Sequence, residues 1–159
     1  MHGIMAVMIM LSAHGVSAAQ KEQAHSLSNA ESGLQLLNAS ARATKPGMSS
    51  SAAYMTIRNG THKPVQIQSL ESPLAMKTEL HTTDMNNGMM KMRRVDNLQI
   101  KAGDEVELKP GSYHVMLMGL KSPIAADSQV PVTITFSNGE KKTVLAHAMD
   151  EIKGQNMAH

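Results

Sequence analysis

The chain has 159 residues, 42% of them hydrophobic, and a net charge of +2, enough for one ordinary domain with a real core. It contains no cysteine, which excludes disulfides, thiolate metal sites, CxxC redox chemistry and a cysteine nucleophile. No basic run or stripe occurs, so neither nucleic acid nor an anionic membrane surface is an expected partner.

Residues 1–18 read as an export signal. An uncharged apolar run from Gly3 to Leu11 precedes small residues and a V-S-A site ending at Ala18. The run is too short to span a bilayer. Its leading residues carry His2 where a signal commonly has Lys or Arg. Residues 19–33 (AQKEQAHSLSNAESG) are polar and small without periodicity, a flexible lead-in. The folded domain is expected over 34–149, with a tail at 150–159.

Within that domain a period of two recurs. Leu34 to Leu37 suits a first strand, and Lys45-Pro46-Gly47 is turn chemistry. Ala53, Met55 and Ile57 alternate with Tyr54, Thr56 and Arg58, and Asn59-Gly60 closes that segment. Val65 and Ile67 alternate with glutamines, and Met76, Thr78 and Leu80 alternate with Lys77, Glu79 and His81. A turn at Asn86-Asn87-Gly88 follows. Val106 and Leu108, then Tyr113, Val115 and Leu117, then Val132, Ile134 and Phe136 continue the pattern, with a last strand over Thr143 to Met149. The stretch 119–129 has no clear pattern and reads as a loop with room for a helical turn. Seven or more short strands with Gly, Pro and Asn between them predict an all-β sandwich or barrel.

Strand periodicity gives His114-Val115-Met116 a geometric meaning. Residues i and i+2 share a face about 6.6 Å apart, so an imidazole and a thioether can reach one ion while Val115 points inward. His81, at the end of its strand, and Met92, beyond the Asn-Asn-Gly turn, are the candidates for the other half. Two imidazoles and two thioethers form a soft, neutral set, poor for Zn, Mg or Ca but suited to Cu(I). Thioethers also cannot be cross-linked by the oxidants an exported protein meets. For Met48, Met55 and Met76, core or surface packing is the better reading. Met85, Met89 and Met90 fit auxiliary ligands or an apolar rim.

The spacing H-x10-M-x21-H-x-M, here His81, Met92, His114 and Met116, resembles the signature of periplasmic copper chaperones of the PCuAC type. ARATKPG at 41–47, SAAYMTIRNG at 51–60, GMMKMRRV at 88–95 and LKPGSYHVMLMGLKSP at 108–123 are similar to that family as well. The resemblance spans roughly residues 34–145. It implies a cupredoxin-like Greek-key β-barrel or sandwich in the periplasm that binds one Cu(I) through those four side chains and has no catalytic role. It further implies copper supply to the CuA centre of cytochrome c oxidase, beside Sco-type proteins, or more broadly copper buffering and resistance. At the C-terminus His147 and Met149 repeat the H-x-M spacing, followed by Met157 and His159. Relatives with His- and Met-rich tails bind a second copper there, often Cu(II), and this tail raises the same expectation against that of a frayed polar terminus.

Rival chemistries fit less well. A blue-copper centre needs a thiolate, a copper oxygenase of the amino-terminal type needs His where the mature chain would begin with Ala19, and no Ser-His-Asp signature is present. A β-sandwich that binds something other than a metal would leave the Met and His cluster unexplained.

Overall fold

The computed structural model of the chain describes residues 33–150 and residue 152. The expected export signal and most of the tail, Met157 and His159 included, lie outside the described residues.

Ten strands account for the architecture: β1 (Leu34–Arg42), β2 (Ser50–Asn59), β3 (Val65–Glu71), β4 (Ala75–Asn86), β5 (Met89–Arg94), β6 (Gln99–Ile100), β7 (Glu105–Leu108), β8 (His114–Leu120), β9 (Gln129–Phe136) and β10 (Lys141–Met149). No helix occurs among the described residues, and the 119–129 segment passes from β8 to β9 through bends and a turn. The fold is all-β, as the alternation predicts.

The strands form one strongly curled sheet in the order β5-β4-β8-β2-β1-β10-β9-β3-β6, with β7 also paired to β2. Neighbours are mostly distant in sequence: β8 lies between β4 and β2, and β10 between β1 and β9. That is a Greek-key trait, and β1 with β10 is a parallel pair. No ladder joins the two ends of the sheet. Instead the chain after β5 bridges them: Val95 N donates to Leu80 O at 2.8 Å, and Ile67 N donates to Leu98 O at 3.0 Å.

Inward-facing residues fill the space the curl encloses. Met55, Ile57, Leu80, Val115, Leu117, Val130, Val132, Ile134 and Phe136 are essentially inaccessible to solvent. At roughly 1.5–3 kcal/mol for each large aliphatic side chain buried, this layer is the main stabilising term. Met55 is a core residue, one of the two packing roles expected for it. Met76 is exposed, 82% accessible, while Ala75 beside it is buried in the core: the alternation of β4 breaks at its start, next to Gly119, whose φ is 65°.

Two irregularities mask the alternation in the sequence. In β1 the register with β2 shifts between Leu37 and Ser40, where Asn38 takes a positive φ of 53°. The bulge changes parity, so Leu34 and Leu36 face the core before it and Ala39 and Ala41 after it. A second shift, between Ile67 and Ser69, does the same to β3, where Val65 and Ile67 are followed by Leu70. At the end of β2, Asn59 is wholly buried yet satisfied. Its Nδ2 donates to the carbonyls of Lys63 (2.8 Å) and Ile100 (3.0 Å), and its Oδ1 accepts from Thr61 N and Oγ1.

Candidate metal centre

The site is built on the outer face of β5, β4, β8 and β2. The hairpin between β4 and β5 turns at Asn87 and Gly88, with φ of 52° and 77°, the pair of positive values a two-residue type I′ connection requires. That turn sets a register in which Thr83 opposes Met92 and His81 opposes Arg94. On the other side of β4, His81 opposes His114 and Glu79 opposes Met116. Met116 in turn opposes Ala52 of β2. Since Val115 and Leu117 are fully buried, alternation puts His114 and Met116 on the outer face.

His114 is nevertheless 4% exposed, because Tyr54 and the turn before β8 cover it. The Tyr54 ring centroid lies 6.5 Å away. In that turn Ser112 N donates to Lys109 O at 3.0 Å, and Gly111 supplies a φ of 81°. The turn aims the Ser112 carbonyl at the ring, and His114 Nδ1 donates to it at 3.0 Å. This fixes the tautomer: the proton is on Nδ1 and the lone pair on Nε2. Nε2 is buried and has no hydrogen-bond partner. Burial holds the His114 pKa below its ordinary value; the Ser112 hydrogen bond opposes the shift, and the nearby His81 and Arg42 add to it.

A cavity of about 350 Å³ opens over this ring, lined by Met48, Met90, Met92, Met116 and His114, with Arg42, Tyr54 and Thr83 among the other walls. Among the described residues no carboxylate lines it, and no three His, Cys, Asp or Glu side chains gather into a group; the donors on this face are sulfur and imidazole nitrogen. Met92 is the most open of the four candidate ligands, at 62% exposure.

His81 does not line the cavity but flanks it, with its ring centroid 6.1 Å from that of His114. Its Nε2 is 2.9 Å from Glu79 Oε2. Glu79 also receives Lys77 Nζ at 2.8 Å and Arg94 Nη1 at 3.1 Å. The Lys77 and His81 hydrogen bonds together hold the Glu79 carboxyl at about 2, well below the usual carboxylate range. When Nε2 donates to this carboxylate, Nδ1 carries the free lone pair of the His81 ring. With metal–imidazole bonds of about 2 Å on each side, plus the radius of each ring, centroids at this separation suit one shared ion.

The four candidates thus fall within one neighbourhood, three around the cavity and His81 at its flank. Of the second set, His147 and Met149 are among the described residues: His147 Nε2 is engaged by Asp127 Oδ1 at 3.2 Å, while Met149 packs against the cluster of Ala52, Tyr54 and Ile152. Sequence reasoning missed Glu79, although it stands two residues before His81 on the same strand face and was recoverable from that. It also missed Arg42, Tyr54 and Met48 as cavity walls, which follow from strand order and have no local signal.

The family described as "Putative lipoprotein LpqE-like" matches residues 34–148, nearly every strand described above. The chain belongs to the LpqE-like family. A curated relative from Leifsonia xyli subsp. xyli, "Putative lipoprotein Lxx21020", is 33% identical over 74% of this chain and 70% of its own length. A Rickettsia prowazekii protein, RP573, is 33% identical over 61% of this chain and 54% of its own length. Among solved structures, Cu(I)-loaded DR1885 from Deinococcus radiodurans is 31% identical with a TM-score of 0.63, over 82% of this chain and 89% of that one. The copper-bound PCuAC domain of PmoF2 has a TM-score of 0.63 at 18% identity, over 74% and 93%. This LpqE-like chain therefore has the cupredoxin-like β fold of PCuAC domains, and the resemblance read from its sequence holds at the level of family and fold.

Proposed function

We propose that this LpqE-like protein is an exported Cu(I)-binding metallochaperone rather than an enzyme, with Met92, Met116, His114 and His81 as the ligands of its cargo. The observation that carries the reading is the bare, buried Nε2 of His114 at the floor of a cavity walled by thioethers. A buried nitrogen lone pair without a donor costs free energy on the order of 1–3 kcal/mol. A metal ion relieves that cost, and sulfur neighbours select a soft one. Copper-bound structures of matching fold, one of them holding Cu(I), support the same cargo.

The ligands divide the work. His114 is preset by Ser112 and supplies the fixed nitrogen. Met116, half-buried beside Tyr54 and Ala52, supplies a sulfur from a packed wall. Met92, on the exposed hairpin, supplies a sulfur that moves with little cost. Glu79 orients His81, in the manner of carboxylates behind metal-binding imidazoles. Neutral Met and His donors hold Cu(I) less tightly than thiolates, so passage to a cysteine-containing acceptor runs downhill. An exposed Met92 lets an acceptor ligand enter before the last donor leaves. The periplasm as compartment, with the CuA centre of cytochrome c oxidase as acceptor and a Sco-type protein as co-worker, follows from the family resemblance. A second copper, Cu(II), at His147, Met149, Met157 and His159 is part of the same reading.

X-ray absorption on the copper-loaded protein tests the centre directly. A mixed sulfur and nitrogen shell with a Cu(I) edge is expected; a shell of oxygen and nitrogen alone removes the proposal. Delivery is tested by mixing loaded protein with an apo CuA domain, removing one electron with ferricyanide after transfer, and following the absorption of the mixed-valence centre.

A further inference from the structure

Six of the seven large hydrophobic side chains left exposed among the described residues are methionines, and the seventh is Leu145. Simple leakage of apolar residues to the surface would draw on Leu, Ile and Val as well, yet among the described residues Leu145 alone of these three types stands with the exposed large hydrophobics. The excess is therefore an excess of sulfur, and it is placed. Met48 and Met90 line the same cavity as Met92, Met116 and His114. Met90 stands two residues before Met92 on β5, on the same strand face, and Met85 opposes it in register on β4. Met48 faces them from the opposite side of the mouth, in the turn leading into β2. Its Sδ is positioned by Lys45 N at 3.5 Å, so it is not a freely waving side chain.

We infer that Met48 and Met90 form an outer thioether station for a soft monovalent cation, through which Cu(I) passes on its way to and from the inner ligands. The inference rests on the reading of Met92, His114 and Met116 as the inner site and adds a second position to it. A Cu–S bond to Met90 breaks as one to Met92 forms, two residues further along the same face. Thioethers carry no proton and the ion keeps its oxidation state, so the step exchanges ligands and nothing else. Two thioethers without an imidazole bind more weakly than the inner set, which is what an entry position requires.

The test uses the full chain labelled with ¹³C at its methionine methyl groups and titrated with Ag(I), a redox-inert stand-in for Cu(I). The first equivalent is expected to move the Met92 and Met116 methyl signals. The second is expected to move those of Met48 and Met90, leaving Met76 and Met89 in place. In the Met48→Leu, Met90→Leu double variant the second equivalent should bind at least tenfold more weakly; in Met89→Leu it should bind as in the parent. The outer station is overturned if Met48 and Met90 stay at their metal-free positions through two equivalents, or if Met76 and Met89 respond equally. Failure of the inner site is seen separately, as unmoved Met92 and Met116 signals at the first equivalent.

Discussion

His81 and His114 stand directly opposite one another across the β4–β8 ladder, with ring centroids 6.1 Å apart. Opposed imidazoles on the outer face of a sheet gain little from packing. Their separation instead suits a shared ion, and the two rings are held by different devices. A main-chain carbonyl fixes His114, whereas a carboxylate that also binds Lys77 and Arg94 fixes His81. Replacing His114 by Ala removes the one imidazole that lines the cavity among the described residues. Loss of one equivalent of Cu(I) binding is expected in competition with a Cu(I)-specific chelator. Met116→Leu, which keeps volume but removes sulfur, should weaken binding in the same direction without unfolding the protein. Parent-like affinity in both variants would falsify the assignment.

Glu79→Gln keeps the shape of the side chain and removes its charge. His81 then loses its orienting carboxylate, and Cu(I) affinity should fall about 10–100-fold, the usual effect of losing such a partner. The fold should persist, since Glu79 holds only side chains at the sheet surface. Circular dichroism alongside the chelator competition separates the two effects, and an unchanged affinity removes Glu79 from the site.

The metal-free protein should lose stability in mild acid. The His114 pKa lies below its ordinary 6.5 in the folded state, so unfolding lets the ring take up a proton that the fold resists. This contribution is complete above 6.5, declines as pH falls below that value, and levels off below the depressed folded value. Urea denaturation at pH 7.5, 6 and 5 should show the decline in the parent and a shallower one in His114→Gln. The same depression keeps the Nε2 lone pair of His114 available further into acid than that of a free imidazole. Glu79 acts lower on the scale: its contribution is present above 4.5 and disappears as pH falls toward about 2.

Phe136 is the chain's one phenylalanine and is completely buried. With so few aromatics, neighbouring aliphatic side chains have no bulky partner with which to close the gap it would leave. Phe136→Ala should cost about 3–5 kcal/mol, read from the shift in urea midpoint at unchanged slope.

What the sequence made legible was local. The H-x-M pair could be placed because alternation in a strand is a rule about neighbours, and the Asn-Asn-Gly turn forces the next strand back beside β4. The limits were equally physical. Asn38 flips the parity of β1, so only its first four residues look like a strand. Met76 shares the parity of Leu80 in the sequence, but the alternation of β4 breaks beside Gly119, so Ala75 is buried and Met76 is exposed. Arg42, Met48 and Tyr54 reach the cavity through the order β8-β2-β1, a matter of long-range pairing that no short window encodes. Glu79 was different, since its i, i+2 relation to His81 was in plain view.

The Ser112 carbonyl has one further effect on traffic through the cavity. With hydrogen parked permanently on Nδ1, the binding nitrogen of His114 is already bare at neutral pH, and the two sulfurs never had a proton to shed. Arrival and departure of cargo at these three donors therefore release no acid and wait on no buffer, and the pace of hand-over is left to how quickly a rival sulfur can approach Met92.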